Sequence, residues 1–368
     1  MAQSLRTRMA DASTVRLTQL CHSGGCGCKI APGLLQEILS RISLPAQHHY
    51  QQLVVGNALS DDAAVIDLNS DHYSLLTTDF FLPIVDDPED FGKIAAANAL
   101  SDIYAMGGTP VAALALVGWP LNHPALQLSS EEHAAVVAAI LRGAQAICHR
   151  AHIPIAGGHS IDNAEPLFGL VALGTVLKSH LRTNAGAQPG DVLFLTKPLG
   201  AGIYGAAIKK GTLSEEDYQQ FLETTTTLNA VGSALAQLPA VHALTDVTGF
   251  GLLGHLLELC TASGVAAELF FSRIPTLPNL SHYIATSGVP GGTKRNWQSY
   301  GHHISPLSEE QRFLLCDPQT SGGLLIAADP AATSEVANIL HAHQIPFTTP
   351  IGKLHPPGTL PHRITVRP

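Results

Sequence analysis

The stretch FGKIAAANALSDIYAMGGTP (residues 91–110) decides the predicted fold. Its alanine-rich part predicts a helix over residues 91–106, which ends at Gly107 and Gly108 with Pro110 just beyond. The apolar run at residues 111–117 then predicts a buried strand. Helix and buried strand alternate in this way along most of the chain, so the sequence predicts a mixed α/β (α+β) protein.

The same reading places further elements and two domains. Apolar residues at helical spacing predict helices over residues 32–42 and 130–149. Short apolar runs predict strands over residues 63–68, 73–78, 153–156, 168–177 and 191–196. The polar, glycine-containing stretch 178–190 predicts a domain boundary. We therefore expect a mobile Gly/Cys-rich loop at residues 1–30, an N-terminal domain at 31–178 and a C-terminal domain at 190–368.

Composition excludes several classes of protein. Of the 368 residues, 45% are hydrophobic, which is enough for a packed core, and 13% are charged. The net charge of −9 argues against nucleic acid as a partner, because phosphate backbones bind basic surfaces. The longest apolar run, residues 110–121, is shorter than the about 20 residues that span a bilayer. Six cysteines in so long a chain do not indicate a disulfide framework, so we expect a cytoplasmic protein without membrane contacts.

Several aspartates stand among residues that favour burial. Asp61 and Asp62 precede an apolar run, Asp79 ends another, Asp102 lies inside the alanine-rich helix, and Asp246 closes a short apolar run. A buried carboxylate needs a partner, and this chain is poor in Lys and Arg. Mg²⁺ bridging carboxylates to a phosphate is one such partner. The alternative is that each aspartate caps a helix or forms a turn.

The segment CHSGGCGCK (residues 21–29) is the densest in chemical groups. Its glycines let backbone N–H groups approach an anion, and Lys29 adds a charge suited to a phosphate oxygen. Beside Lys29, the pKa of Cys26 or Cys28 could be lowered enough to supply a thiolate. Two alternatives stay open here. The cysteines and His22 could bind Zn²⁺, or the segment is a mobile tail.

Three glycine-containing motifs are weaker signals. GAGIYG (residues 200–205) matches a dinucleotide fingerprint, but we interpret it as a tight strand-to-helix turn. GGHS (residues 157–160) follows an apolar strand and predicts either a loop that contacts phosphate or ribose, or a plain turn. GGTKRN (residues 291–296) could bind an anion, although a solvated turn is the preferred interpretation.

Taken together, the motifs resemble those of the selenophosphate synthetase (selenide, water dikinase) family, from about Arg16 to Gly352. The resemblance rests on GCGCK (25–29), DDAAV (61–65), TDFF (78–81), AGGHS (156–160), DPQTSGG (317–323), and the stretches 98–108 and 245–254. It implies an enzyme, a phosphotransferase that converts ATP, selenide and water into selenophosphate, AMP and phosphate with Mg²⁺. It also implies a two-domain fold similar to aminoimidazole ribonucleotide synthetase, in a homodimer paired through N-terminal sheets.

The resemblance assigns roles to individual residues. It implies metal ligands at Asp62, Asp102 and Asp246, and catalytic roles for Cys26 and Lys29. It implies nucleotide contacts from Lys29, Leu59, Ser60, Asp61, Asp79, Asp102, Gly158, His159 and Ser160, of which the last three would reach the ATP of the partner subunit. A selenium-donor protein is a further possible partner. The alternatives are another ATP-dependent enzyme of the same fold, or a zinc- or selenium-binding carrier built on the N-terminal cysteines.

Overall fold

A computed structural model describes residues 15–30, 32–41, 50–56 and 60–368 of the chain. Within these residues the strands form two six-stranded sheets. The first sheet contains β1 (Leu53–Val55), β2 (Ala64–Asp67), β3 (His72–Phe81), β4 (Thr109–Trp119), β5 (Ile155–Asp162) and β6 (Leu167–Leu177). The second contains β7 (Val192–Leu195), β8 (Val241–Asp246), β9 (Ala266–Phe270), β10 (Leu324–Ala328), β11 (Gly352–His355) and β12 (Ile364–Arg367).

Both sheets are largely antiparallel. The spatial order is β1-β2-β3-β6-β4-β5 in the first sheet and β12-β9-β11-β7-β10-β8 in the second. Only β4 with β5, and β9 with β12, pair in parallel among these strands. The predicted mixed α/β (α+β) class is confirmed.

Helices connect and cover the sheets. In chain order they are α1 (Pro32–Ser40), α2 (Pro88–Ala105), α3 (Ser130–Arg150), α4 (Ala201–Lys210), α5 (Glu215–Thr226), α6 (Val231–Leu235), α7 (Gly251–Ala262), α8 (Leu280–Ser287), α9 (Gly291–Tyr300), α10 (Glu309–Leu315) and α11 (Thr333–Ala342). In the described part of the chain, no helix combines the length and the apolar character that a membrane span requires.

Helix α2 begins and ends where local chemistry dictates. The Asp87 carboxylate accepts a hydrogen bond from the Asp90 N–H, and Pro88 occupies the first turn, where a missing N–H costs nothing. At the other end Gly107 takes a left-handed φ of +75°, which lets the chain turn back on the helix. The predicted end at Gly107 is confirmed.

Helix α2 is the element that both sheets share. It packs against β3, β6 and α3 on one side and against α5, α6 and β8 on the other. Nearly all of its side chains from Phe91 to Ala105 are buried, as expected for a helix enclosed on every side. Polar groups on α2 therefore lie in the interior, at the junction of the two sheets.

Helices α2 and α3 approach closely because each carries a glycine at the contact. A Cβ atom at Gly92 would lie 1.9 Å from the Ile140 carbonyl oxygen. A Cβ atom at Gly143 would lie 1.9 Å from the Glu89 carbonyl oxygen. Since no backbone carbonyl can move far enough to admit a methyl group there, the two glycines set the distance between the helices.

Most local predictions are confirmed, and two are wrong. The 200–205 motif is a strand-to-helix turn, since Gly200 has a φ of +123° directly before α4. Residues 157–160 do not form a loop, because they continue β5, which also begins later than predicted. Residues 291–296 are not a solvated turn but the first part of α9. The predicted helix over residues 32–42 corresponds to α1, and Ile42 lies outside the described residues.

The contact between α2 and α3 gives a stability prediction. Gly143→Ala should lower the free energy of unfolding by about 1–3 kcal/mol, because the added methyl group forces the helices apart. Gly33→Ala in α1 is the matched control, since its Cβ would meet nothing nearer than the Ser299 Oγ at 3.8 Å. Urea unfolding of both variants checks this. A Gly143→Ala midpoint at or above that of the wild type would contradict the account.

Candidate active site

Three carboxylates from three elements meet at the junction of the sheets. Asp62 precedes β2, Asp102 lies on α2, and Asp246 is the last residue of β8. One carboxylate oxygen from each lies within 4.8 Å of the other two. Asp102 and Asp246 are buried and Asp62 is half-buried. The structure therefore brings together the three aspartates that the family resemblance assigned as metal ligands.

Neighbouring side chains orient the three carboxylates. The Thr245 hydroxyl donates to Asp62 Oδ1 at 3.0 Å, and the Thr77 hydroxyl donates to Asp102. The Ser101 side chain is hydrogen-bonded to Asp246. The second oxygen of Asp246, Oδ2, is buried and has no hydrogen-bond partner in the structure. A buried carboxylate oxygen without a protein donor needs another partner, such as water or a cation.

The electrostatics of this triad favour a bound cation. Burial, followed by the charges of Asp246 and Asp102, raises the pKa of Asp62 well above its usual range. Burial and the charges of Asp79 and Asp246 do the same for the pKa of Asp102. The pKa of Asp246 is raised as well, chiefly by burial. Three carboxylates that repel one another without a cation between them form a site suited to a divalent metal ion. The ion would displace the protons that the raised pKa values keep on them.

Lys29 is the cation next to the triad. Its Nζ lies 3.4 Å from Asp79 Oδ1, at the end of β3. Burial by itself would lower the pKa of Lys29, but the charge of Asp79, helped by those of Asp102 and Asp246, outweighs burial and raises it. Lys29 is therefore a fixed positive charge at neutral pH. A Cβ at Gly249 would lie 2.9 Å from the Lys29 Cδ, so Gly249 leaves room for the lysine stem.

Lys29 follows a 3₁₀ turn, Gly25–Cys28, which we call the cysteine turn. This turn packs against the 317–323 motif. Gly25 has a φ of +56°, and a Cβ there would lie 2.3 Å from the Thr320 Oγ1. The Cys26 N–H donates to that same hydroxyl at 3.0 Å. Glycine at position 25 is required on both counts, since other residues disfavour this φ and have no space for a side chain.

Asn98 on α2 ties these parts together. Its amide nitrogen donates to Asp79, while its Oδ1 accepts from the Ser321 N–H at 2.8 Å and from the Cys26 thiol at 3.3 Å. One buried amide thus joins β3, the cysteine turn and the 317–323 motif. The sequence places Asn98 four residues before Asp102, on the same face of α2, but it does not indicate these hydrogen bonds.

Lys197 is a second residue whose place the sequence did not reveal. Its ammonium donates to the carbonyls of Ser321 at 2.8 Å and Thr227 at 2.7 Å. Burial lowers the pKa of Lys197 to about 7, although the charge of Asp246 opposes the shift. The available signal was a lysine two residues after the apolar run of β7, where the chain leaves a buried strand.

The structure overturns two expectations for the cysteines. Burial raises the pKa of both Cys26 and Cys28, so neither is the thiolate that the sequence suggested. The zinc alternative also fails. Over the described residues, which include all of 21–29, the acidic triad is the one group with metal-binding geometry. His22 pairs with Glu165 instead, and the Cys21 thiol faces backbone carbonyls.

The other residues expected to contact the nucleotide do not all line one cavity. Asp61 Oδ1 accepts from the Asn184 N–H at 2.7 Å, and the Ser60 carbonyl accepts from the Asn184 amide at 2.8 Å. Asp61 and Asp62 line a cavity of about 400 Å³ with Thr77 and Thr78. Leu59 lies outside the described residues. Gly158, His159 and Ser160 are exposed on β5, at the edge of the first sheet, and do not line this cavity.

Comparison with known proteins matches both halves of the chain to known families. Residues 60–176 match the family described as AIR synthase related protein, N-terminal domain, and residues 188–360 match its C-terminal domain. A selenide, water dikinase from Burkholderia pseudomallei is 53% identical over 333 residues, covering 90% of this chain and 91% of that protein. Another from Colwellia psychrerythraea is 52% identical over 319 residues, covering 86% and 90%.

Solved structures share the fold. Thiamine-monophosphate kinase from Stenotrophomonas maltophilia has a TM-score of 0.60 at 20% identity, covering 91% of this chain and 95% of that one. Hydrogenase maturation protein HypE in complex with ATP also has a TM-score of 0.60, at 16% identity, covering 90% of each chain. The expected similarity to the aminoimidazole ribonucleotide synthetase fold is confirmed by these matches and by the two family domains.

The crowded carboxylates give a prediction for the metal-free protein. Asp246→Asn should raise its melting temperature, because one repelling charge is removed from the triad. The same change should reduce the rise in melting temperature that a divalent cation produces in the wild type. Asp71→Asn, an exposed aspartate before β3, is the control. Calorimetry with chelator and with added cation checks both parts, and an unaltered cation response in Asp246→Asn would contradict them.

The sign of the pH dependence follows from the raised pKa values. The folded protein holds protons on the triad above the unfolded-chain pKa of roughly 4, so ionisation costs stability as the pH rises beyond it. The advantage of Asp246→Asn over the metal-free wild type should therefore be larger at alkaline than at acidic pH.

Proposed function

This chain belongs to the selenide, water dikinase family, and from that premise we propose that Asp62, Asp102 and Asp246 hold Mg²⁺ at the phosphates of ATP. The protein is an ATP-dependent phosphotransferase that forms selenophosphate from selenide, releasing AMP and phosphate. The observation that carries the site assignment is the buried carboxylate triad with Lys29 beside it.

The donor set supports Mg²⁺ as the metal. All three candidate ligands are carboxylate oxygens, which hard cations prefer, and the partnerless Asp246 Oδ2 is ready to accept one. Mg²⁺ bound there would neutralise charge on the phosphate oxygens. The cavity lined by Asp61, Asp62, Thr77 and Thr78 opens beside the triad, and we assign it to ATP.

Lys29 is proposed as the residue that neutralises charge on the transferring phosphoryl group. Phosphoryl transfer depends on positioning and charge neutralisation more than on covalent help from the protein. Lys29 is held in place by its pairing with Asp79, and its raised pKa keeps it protonated. Both properties suit a group that must present a constant positive charge to a phosphate oxygen.

Cys26 is proposed as a positioning residue in this arrangement. Its thiol is buried, protonated and hydrogen-bonded to Asn98, so it holds the turn that carries Lys29. Selenide is a strong nucleophile without assistance, and no general base is needed to activate it. A role for Cys26 in orienting selenide remains part of this proposal.

An exposed apolar face supports a homodimer. Leu76, Phe80, Leu114 and Leu173 are 43%, 51%, 45% and 40% exposed, and strand register puts all four on the face of the first sheet that α2 and α3 do not cover. Monomeric proteins rarely expose so continuous a patch. We propose that two chains pair through this face, with Gly158, His159 and Ser160 contributing to the partner's nucleotide site.

The remaining assignments are proposals of the same kind. We propose a domain boundary at residues 178–190, which lie between the last strand of the first sheet and the first strand of the second, with the Gly/Cys-rich N-terminal loop ending at residue 30. Six free cysteines support a reducing cytoplasm. A selenium-donor protein is a proposed partner, and the relatives at about 50% identity favour selenide over the acceptors of distant fold neighbours.

Selenide-dependent formation of AMP from Mg-ATP tests the function. Asp62→Asn and Lys29→Met should each lower turnover by at least about a hundredfold while the fold persists, because metal or charge neutralisation is lost. Asp71→Asn and Lys210→Gln are controls for an exposed acid and an exposed base. Phosphorus NMR of the product checks the outcome. Wild-type rates in either active-site variant would remove that residue from the mechanism.

The dimer has its own test. Leu114→Glu combined with Leu173→Glu should yield monomers, because two buried charges would face the partner subunit. Leu68→Glu, in the exposed turn after β2, is the control. Sedimentation of each protein measures the assembly, and a wild-type protein that is monomeric at micromolar concentration would refute the proposal.

A further inference from the structure

A second cavity borders the cysteine turn and is separate from the cavity beside Asp62. It has a volume of about 530 Å³, and Gly27, Cys28 and Lys29 form part of its wall. Lys209 at the end of α4 and Arg295 on α9 form other parts. No acidic residue lines it in the described part of the chain, although the protein has a net charge of −9. We call it the cationic cavity.

The charges of Lys209 and Arg295 are not neutralised by carboxylates. Lys209 Nζ donates to the Cys21 carbonyl at 2.7 Å, and Arg295 Nη2 donates to the Gly27 carbonyl at 2.8 Å. Neither takes part in any of the ion pairs formed among the described residues. Their positive charge is therefore available to an anion in the cavity.

The cationic cavity is separate from the cavity lined by Asp61, Asp62, Thr77 and Thr78, which we call the nucleotide cavity. They share no lining residue. Asp62 lines the nucleotide cavity and belongs to the triad, whereas Lys29 lines the cationic cavity and contacts Asp79. Asp62 thus connects the triad to the nucleotide cavity, and Lys29 connects the active site to the cationic cavity.

In-line phosphoryl transfer needs this kind of separation. The acceptor must approach the phosphorus from the side opposite the leaving oxygen. If the nucleotide occupies the cavity beside Asp62, the acceptor arrives from the Lys29 side. Selenide is a monoanion at neutral pH, so the carboxylates hinder its approach while a cavity lined by cations attracts it.

We propose that the cationic cavity is the route by which selenide reaches the active site, and that Lys209 and Arg295 bind it there as an anion. This inference rests on the function proposed above and adds the place where its second substrate binds. The competing explanation is that both cations only anchor the cysteine turn through their bonds to the carbonyls.

Two matched double variants provide the test. In Lys209→Gln with Arg295→Gln, the side-chain amides can still donate to the carbonyls while both charges are lost. Lys210→Gln with Lys294→Gln removes two exposed charges from the same helices, outside the cavity. AMP formation under anaerobic conditions then gives the KM for selenide and the KM for ATP of each protein, at low and high salt.

The proposal predicts that the cavity variant raises the KM for selenide about tenfold, leaves the KM for ATP unchanged, and weakens the salt dependence of kcat/KM for selenide. Arg295→Lys, which keeps the charge, should retain most of the wild-type value. An unchanged KM for selenide, an equal rise in the control pair, or a rise with undiminished salt dependence would overturn it. Absence of selenide-dependent AMP in the wild type would instead refute the proposed function.

Discussion

Burial of polar side chains on one enclosed helix is the constraint on which this structure depends. Asn98, Ser101 and Asp102 on α2 lie between the two sheets, where water cannot satisfy them. Each must find a protein partner or a ligand, since an unpaired polar group in that position costs roughly 1–3 kcal/mol. Asn98 meets this need by joining β3, the cysteine turn and the 317–323 motif. Asp102 accepts a hydrogen bond from Thr77. The proposed metal ion would balance the charge that this bond leaves on the carboxylate.

The positive charges near the active site also have defined contacts. Lys and Arg make up 20 of the 368 residues, and those near the active site contact a carboxylate or a backbone carbonyl. Lys29 partly neutralises the carboxylates. Lys197, whose pKa is lowered by burial, donates a hydrogen bond to the Ser321 carbonyl and so holds the 317–323 motif. The acidic triad and the cationic cavity therefore present opposite charges across a short distance. Such a division suits an enzyme that must bring two anionic substrates together.

The sequence predicted those features that depend on local pattern. The helix at residues 91–106 and its end at Gly107 follow from periodicity and turn chemistry. Apolar neighbours drew attention to several aspartates, and the family resemblance selected Asp62, Asp102 and Asp246 among them. Features that depend on tertiary burial were not predictable in this way. Burial raises the pKa of Cys26 and outweighs the lowering effect of its neighbour Lys29. Two of the three hydrogen bonds of Asn98 join it to residues 72 and 223 positions away in sequence, Cys26 and Ser321. The 157–160 glycines suggested a loop, yet strand pairing with β4 extended them.

Anomalous diffraction from crystals grown with Mn²⁺ and a non-hydrolysable ATP analogue tests the central claim most directly. The account predicts a manganese peak bonded to carboxylate oxygens of Asp62, Asp102 and Asp246, with the analogue in the cavity beside Asp62 and Lys29 facing its terminal phosphate. Manganese bound elsewhere, or the nucleotide in the cationic cavity with the triad empty, would contradict it.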